Sequence, residues 1–235
     1  MHICLLDIDG TLILTGGAGQ SAFAQTLAEE FGIPEIDTQV AFAGRSDRAI
    51  AMDLFRSHGV EQSAENWSRF CAGYLSRLDT ALASHQGYVL PGVARLLTTL
   101  SDRGDVALGL LTGNVREGAR RKLSHYHLWH WFPFGGFGDD HLERCDIAVA
   151  ALLAARRHID GVPGRSALIG AISPSHVIVI GDTPHDIACG RSIGARCVAV
   201  PTGHTMADDL RRADPDVLVE TLEDFAPIAA LFDDQ

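Results

Sequence analysis

The sequence predicts an α/β protein in which helices cover both faces of a parallel sheet and a helical segment is inserted after the first strand. Short apolar runs alternate with helical patterns, as in parallel sheets with helical crossovers. Apolar or β-branched runs predict the strands Ile3–Asp7, Val106–Leu111, Val177–Ile180 and Cys197–Val200, with Val217–Val219 as a fifth candidate. Helical patterns between the strands span Val93–Leu100, Arg116–Leu123 and Cys145–Arg157.

The stretch that follows the first strand has a different pattern, with no convincing strand. It begins with the glycine-rich segment 16–19, which we interpret as a hinge. We therefore expect residues 1–14 and 87–235 to form the sheet domain and residues 15–86 to form a helical insert. The predicted helices of the insert are Gln20–Phe31, Arg48–His58 and Ala64–Leu82.

Composition indicates which partners the protein can bind and in which cell compartment it functions. The formal net charge of −11 disfavours a nucleic-acid partner, because phosphate backbones call for basic surface. The five cysteines are scattered and odd in number, which argues against a disulfide framework and fits a reducing compartment. We find no signal-peptide pattern and no apolar run of membrane-spanning length. We expect a cytoplasmic protein that does not bind membranes.

Polar segments follow three of the predicted strands, and they bring four carboxylates to one place. Because the carboxyl ends of neighbouring parallel strands meet at one edge, we expect these segments to converge there. Clustered like charges are costly unless a cation compensates them, and oxygen ligands suit Mg²⁺. The segments are Asp7-Ile8-Asp9-Gly10-Thr11, Thr112-Gly113-Asn114 and Gly181-Asp182-Thr183-Pro184-His185-Asp186.

The first of these segments suggests covalent chemistry. Asp7 and Asp9 start in opposite directions along an extended chain, and Gly10 lets the backbone turn so that both can face one ligand. One carboxylate can then attack phosphorus while the other handles the proton. The alternative is that the Asp-Gly and Asp-Thr-Pro sequences only form turns.

Together the motifs resemble those of the haloacid dehalogenase superfamily of phosphatases and phosphomutases. Asp7–Leu12 is similar to its first motif, Leu111–Asn114 to its second and Gly181–Asp186 to its fourth. The insert resembles the small α-helical cap of the phosphoglycolate phosphatase and β-phosphoglucomutase branch. The resemblance covers most of the chain and implies a Rossmann-like core with an inserted cap.

The resemblance also implies roles for the residues of the motifs. Asp7 would be the nucleophile, and Asp9 would protonate the leaving oxygen and then activate water. Mg²⁺ would be held by Asp7, the backbone carbonyl of Asp9 and Asp182, with Asp186 supporting it directly or through water. The substrate would contact the second-motif segment, namely Thr112, the Gly113 amide and Asn114.

The third motif of the superfamily is a lysine, and here the sequence departs from the pattern. The chain has no lysine after Lys122, so we assign the role of catalytic and substrate-binding cation to Arg144. The alternative is that Arg144 pairs at the surface with Glu143 or Asp140. Lys122 is the rival, but it lies in an Arg-Arg-Lys run, for which we expect a solvated or packing role.

Arg45 is a further candidate for substrate contact, because it lies in a loop of the predicted cap. The alternative is that Ser46 or Asp47 only caps the following helix. The sequence as a whole predicts a Mg²⁺-dependent phosphatase of a small phosphomonoester, either a phosphoglycolate-like acid or a sugar phosphate. A phosphomutase and a non-catalytic phospho-acceptor module are the alternatives, and we expect a monomer or a homodimer.

Overall fold

A computed structural model describes residues 1–37, 40–161 and 173–233. Its main sheet is parallel and has six strands in the described residues, in the spatial order β5-β4-β1-β6-β7-β8. A separate antiparallel pair is formed by β2 and β3. The strands are β1 (His2–Leu6), β2 (Ile13–Leu14), β3 (Tyr88–Val89), β4 (Val106–Leu111), β5 (Gly135–Gly136), β6 (Val177–Gly181), β7 (Arg196–Ala199) and β8 (Val217–Leu218).

Helices cover both faces of the sheet and also build the insert. Short 3₁₀ turns occur at Trp129–Trp131 and Pro174–His176. The described α-helices are α1 (Ala18–Phe31), α2 (Asp47–Ser57), α3 (Ala64–Ser84), α4 (Val93–Asp102), α5 (Arg116–His125), α6 (Arg144–Asp160), α7 (Pro184–Ser192), α8 (Ala207–Arg212) and α9 (Ala226–Ala230).

Strand β1 lies at the centre of the sheet and is buried along its whole length. It pairs in parallel with β4 on one side and with β6 on the other, so Leu6 lies opposite both Leu110 and Ile180. Side chains alternate across the sheet. Cys4 and Leu6 face the core that contains α4, while Ile3 and Leu5 face the core that contains α6. This alternation is why the strand is apolar at every position.

The insert has its own hydrophobic core, in which aromatic side chains from α1, α2 and α3 pack together. Phe23, Phe55, Phe70 and Tyr74 are buried there, and Val115 from the sheet domain packs into the same cluster. The β2–β3 ribbon lies at the base of the insert, where the chain leaves and returns. The domain limits at residues 14/15 and 86/87 stay a prediction.

The predicted fold class is confirmed, and the differences concern short or polar elements. The predicted strands and helices are all present, with ends that differ by up to three residues. Arg144 is the first residue of α6, whereas the sequence analysis put it just ahead of that helix. Within the described residues, no helix is long and apolar enough to span a membrane.

The separate core of the insert predicts a large cost for truncating its central aromatic ring. Phe70 is fully buried between Phe23, Phe55 and Tyr74. Phe70→Ala should lower the free energy of unfolding by about 3–5 kcal/mol, through lost burial and the cavity left behind. Urea denaturation measures this cost. The matched control Leu153→Ala, on the exposed side of α6, should change stability by less than about 0.5 kcal/mol. Equal effects of the two substitutions would contradict this view of the core.

Candidate active site

Three carboxylates converge at the carboxyl edge of the sheet. Asp7 follows β1, Asp182 follows β6, and Asp186 lies in the first turn of α7. All three side chains are buried. One oxygen from each lies within 4.8 Å of the others, so the group has the composition and spacing to hold a metal ion.

The clustered acids are not electrically balanced by their surroundings. Burial, followed by the neighbouring carboxylates Asp186 and Asp7, raises the pKa of Asp182 to about 9. Burial also raises the pKa of Asp7 to about 7, although the Arg144 charge opposes the shift. Carboxyl groups held in this way favour a cation beside them. Oxygen donors of this kind match a hard divalent ion, so the residues present fit Mg²⁺.

Arg144 is the cation of this cluster, and it lies inside the site. Its side chain is buried and donates a hydrogen bond to Asp186 Oδ1, and its Nη2 lies 3.4 Å from Asp7 Oδ1. The alternative of surface pairing with Glu143 or Asp140 is therefore wrong. The second oxygen of Asp186 accepts hydrogen bonds from the Thr183 amide at 3.0 Å and from its hydroxyl at 2.6 Å. Both oxygens of Asp186 are thus already bonded.

Lys122 is buried beside Asp9, so the expectation of a solvated role is wrong. Its side chain is only 6% exposed, and Nζ donates to Asp9 Oδ2 at 2.7 Å and to Asn114 Oδ1 at 2.6 Å. The helical period explains the error. Gly118, Ala119 and Leu123 form the buried stripe of α5, and Lys122 belongs to it. The spacing of these residues in the sequence is compatible with a buried stripe, but the run of three basic residues suggested an exposed face.

Asn114 connects the second-motif segment to Asp9. Its amide nitrogen donates to Asp9 Oδ2 and to Thr112 Oγ1, both at 2.8 Å, and its oxygen accepts from Lys122. Asp9 is therefore held by two donors although its side chain is 41% exposed. The structure thus brings Thr112, Asn114 and Asp9 together, while the contacts predicted for the Gly113 amide and the Asp9 carbonyl stay predictions.

The turn after Asp9 requires glycine. Gly10 has φ +87°, and a β-carbon there would lie 2.3 Å from Asp182 Oδ2. The absence of a side chain at Gly10 lets the first segment approach the end of β6 closely, and the positive φ agrees with the sharp turn predicted at this glycine. The Thr11 hydroxyl then donates to Asp182 Oδ1 at 3.3 Å, which adds a second link between the two segments.

The N-terminus of α2 docks the insert onto the sheet domain. The Asp47 amide donates to the Gly113 carbonyl at 2.7 Å, and Asp47 Oδ2 accepts from the Val115 amide at 2.8 Å. Ser46 Oγ accepts from the Ala49 amide, so it caps α2 as the alternative proposed. Sequence reasoning weighed Asp47 only as a helix cap, because a carboxylate that reaches another domain leaves no local signal.

A cavity of about 510 Å³ lies between the carboxyl edge of the sheet and the insert. Most of the candidate residues line it, and both domains contribute to its wall. Arg45 also lines the cavity, but its guanidinium donates to Asp53 Oδ2 at 2.6 Å. Substrate contact by Arg45 stays a prediction. The residues proposed from the sequence that line the cavity are Asp7, Asp9, Arg45, Thr112, Gly113, Asn114, Arg144 and Asp182.

The family model of haloacid dehalogenase-like hydrolases matches residues 4–200. A phosphoglycolate phosphatase from Synechococcus elongatus is 28% identical over 95% of this chain and 95% of its own length. An N-acetylmuramic acid 6-phosphate phosphatase from Pseudomonas putida is 26% identical over 89% of this chain and 86% of its own. The crystal structure of a β-phosphoglucomutase from Clostridium difficile superimposes with a TM-score of 0.72 at 18% identity, over 99% of this chain and 97% of its own.

These similarities confirm the resemblance that the three motifs indicated. The expectation of an enzyme, a phosphatase of this superfamily, is confirmed by the family match and the relatives. The structural similarity confirms the helical cap architecture. The acidic cluster agrees with a metal-dependent enzyme.

Asp47 predicts a pH-dependent effect on stability. Burial raises its pKa to about 6, so the folded state keeps the proton between about pH 4 and 6, where the unfolded state has lost it. The penalty grows as pH rises through this window and is constant above it. Asp47→Asn removes the penalty and keeps an acceptor for the Val115 amide. We expect a stability gain of up to about 3 kcal/mol at pH 8 and almost none at pH 4.

Chemical denaturation of the two proteins across pH measures this difference. Asp208→Asn is the matched control, because Asp208 is exposed and pairs only locally with Arg211. A gain for Asp47→Asn that did not shrink toward pH 4 would contradict the buried-carboxylate account.

Proposed function

The chain belongs to the haloacid dehalogenase-like hydrolase family, and we propose that it hydrolyses a small phosphomonoester by transferring the phosphoryl group to Asp7. The convergence of Asp7, Asp182 and Asp186 around Arg144 is the observation that carries this proposal. It combines an attacking carboxylate, a candidate metal site and a buried cation at one end of the cavity. The substrate class is a small phosphorylated metabolite.

The proposed cofactor is Mg²⁺, held by the carboxylates of Asp7 and Asp182 and by the backbone carbonyl of Asp9. When bound, it supplies charge neutralisation for the phosphoryl group. Asp186 supports the site rather than binding the ion directly, because Arg144 and Thr183 already use its two oxygens. Of the two roles expected for Asp186, direct binding of Mg²⁺ and support through water, these hydrogen bonds favour the second.

In the first proposed step, an Asp7 oxygen attacks phosphorus and the ester P–O bond breaks. The electron pair of that bond passes to the leaving oxygen, which takes a proton from Asp9. In the second step, Asp9 accepts a proton from water and the water oxygen attacks phosphorus. The bond between phosphorus and the Asp7 oxygen breaks, its electron pair returns to the Asp7 carboxylate, and inorganic phosphate is released. Arg144, beside Asp7, offsets the charge on the phosphoryl oxygens in both steps. Thr112, the Gly113 amide and Asn114 are the proposed phosphoryl contacts.

We assign Lys122 to positioning rather than to contact with phosphorus. Together with Asn114 it fixes the carboxylate of Asp9, which has one oxygen bonded to both residues. The exposed part of Asp9 then faces the cavity, where a leaving oxygen would lie.

In the same proposal, residues 15–86 act as a cap over the site, and the protein is a monomer or a homodimer in the cytoplasm.

Removal of the nucleophile tests the proposal directly. Asp7→Asn should lower phosphate release from a panel of phosphomonoesters by at least about 10³-fold with the fold retained, because the variant lacks the attacking oxygen anion. Chelation of divalent metal should abolish activity in the parent, and added Mg²⁺ should restore it. Phosphate assays with circular dichroism as the folding control measure both effects. Turnover by Asp7→Asn comparable to the parent would exclude Asp7 as the nucleophile.

The two buried cations should differ in how they act. Arg144→Met removes charge beside the nucleophile and should lower kcat by about 10²–10³-fold. Lys122→Met acts through Asp9, so its effect should vanish when Asp9 is already Asn. The measurement is a double-mutant cycle of kcat with an alkyl phosphate, whose leaving oxygen needs a proton. Additive effects of Lys122→Met and Asp9→Asn would contradict the positioning role.

A further inference from the structure

We propose that the leaving group of the substrate is uncharged and carries an apolar ring, about the size of a benzyl group, that packs against the cap wall of the cavity. The inference rests on the proposed function, because it concerns the alcohol that phosphoryl transfer releases. It departs from both substrate classes that the sequence suggested, since a phosphoglycolate-like acid is charged and a sugar is polar.

An aromatic cluster forms part of the cap wall of the cavity. The ring centroid of Phe23 lies 5.7 Å from that of Phe42 and 4.8 Å from that of Tyr74, both in edge-to-face geometry. Polar residues of residues 15–86, among them Gln20 and Gln86, line other parts of the cavity. Ile13 and Ile50 line the same cavity, and both are buried. A planar ring can join such a cluster in the same edge-to-face geometry and gains free energy from burial of its apolar surface.

A second anionic group on the substrate would find no free arginine or lysine among the described residues that line this cavity. Arg45, Lys122 and Arg144 line it, and each is already paired with a carboxylate. His204 is the other basic side chain in the described lining. Arg45 is the one that belongs to the cap, and its Nη2 lies 2.6 Å from Asp53 Oδ2. A substrate carboxylate would have to displace Asp53 or remain unpaired, and both are costly.

Tyr74 adds aromatic surface to this wall. Its side chain is 1% exposed and lines the cavity, and its hydroxyl is itself buried, without a hydrogen-bond partner among the described residues. Sugar hydroxyls that met the apolar surfaces of Phe23 and Ile50 would be left unpaired, which is destabilising.

Binding of two isosteric phosphonates tests the proposal independently of turnover. 2-Phenylethylphosphonate replaces the ester oxygen of benzyl phosphate by carbon, and 3-phosphonopropionate does the same for 2-phosphoglycolate. Calorimetric titration of the full chain with Mg²⁺ should give at least about tenfold tighter binding of the phenyl compound. Equal affinities, tighter binding of 3-phosphonopropionate, or no binding of either compound would overturn the proposal.

Turnover of three matched esters separates this inference from the proposed function. All three release alcohols rather than phenols, so differences in kcat/KM report recognition more than leaving-group reactivity. Benzyl phosphate should exceed glucose 6-phosphate and 2-phosphoglycolate by at least about tenfold. A higher value for either of the latter two would overturn the inference. Tight binding of 2-phenylethylphosphonate without phosphate release from any ester would contradict the proposed function, and with it the assignment of the ring to a leaving group, while the preference of the cavity for an apolar ring would stand.

Two substitutions locate the preference in the cap wall. Phe42→Ala should weaken 2-phenylethylphosphonate binding by about tenfold, whereas Phe31→Ala, in the same cap but outside the cavity, should not. Asp53→Asn releases Arg45 and should strengthen 3-phosphonopropionate binding about three- to tenfold, with Asp208→Asn as the matched control. Equal effects of a cavity variant and its control would place the preference elsewhere and overturn the proposal.

Discussion

The burial of like-charged carboxylates at one edge of the sheet is the constraint on which the rest of the site depends. Asp7 and Asp182 leave adjacent strands and cannot move apart without breaking the parallel register between β1 and β6. Their raised pKa values express the cost of this arrangement. A fold tolerates such a cost where function requires it, and the structure offsets it with Arg144 and with a place for a divalent cation.

The neighbouring residues follow from the same constraint. Gly10 is required because any side chain there would collide with Asp182. Thr183 and Arg144 occupy the oxygens of Asp186, which fixes that carboxylate as a support for the cluster. The result is an edge of the sheet where every carboxylate has a defined direction before a substrate arrives, which is how positioned charge contributes to catalysis.

Helix α5 couples the cap to the catalytic edge. Asp47, the first residue of α2, accepts a hydrogen bond from the amide of Val115, the residue that precedes α5. Lys122, two turns along the same helix, holds Asp9. Docking of the cap and orientation of Asp9 therefore use one rigid element. This arrangement gives the cap a physical route to the chemistry, in addition to its direct contribution to the cavity wall.

Much of this architecture could be predicted from the sequence, and the failures have physical causes. The strands β1, β4 and β6 were visible because strands buried on both faces are apolar at every position. Strand β5 is only Gly135 and Gly136, which carry no apolar signal. Helices α7, α8 and α9 are short and have no strong apolar stripe.

Among the site residues, Asp7 and Asp182 could be located from the sequence because each directly follows a predicted strand. The burial of Lys122 was missed because its neighbours Arg120 and Arg121 suggested an exposed face, although its position in the helix puts it on the buried side. The contact of Asp47 with Val115 forms only when the two domains meet, so no local sequence pattern indicates it. The aromatic wall of the cavity could not be predicted for the same reason, since Phe23 and Tyr74 read in sequence as ordinary core residues of the cap.

The central claim is that Asp7, with Mg²⁺ and Arg144, accepts a phosphoryl group at the edge of the sheet. Beryllofluoride forms a stable mimic of a phosphorylated aspartate, so ¹⁹F NMR of its complex tests this claim without depending on the substrate. The account predicts bound fluorine resonances that require Mg²⁺ and disappear in Asp7→Asn. Absence of bound resonances in the parent with Mg²⁺, or their persistence in Asp7→Asn, would contradict it.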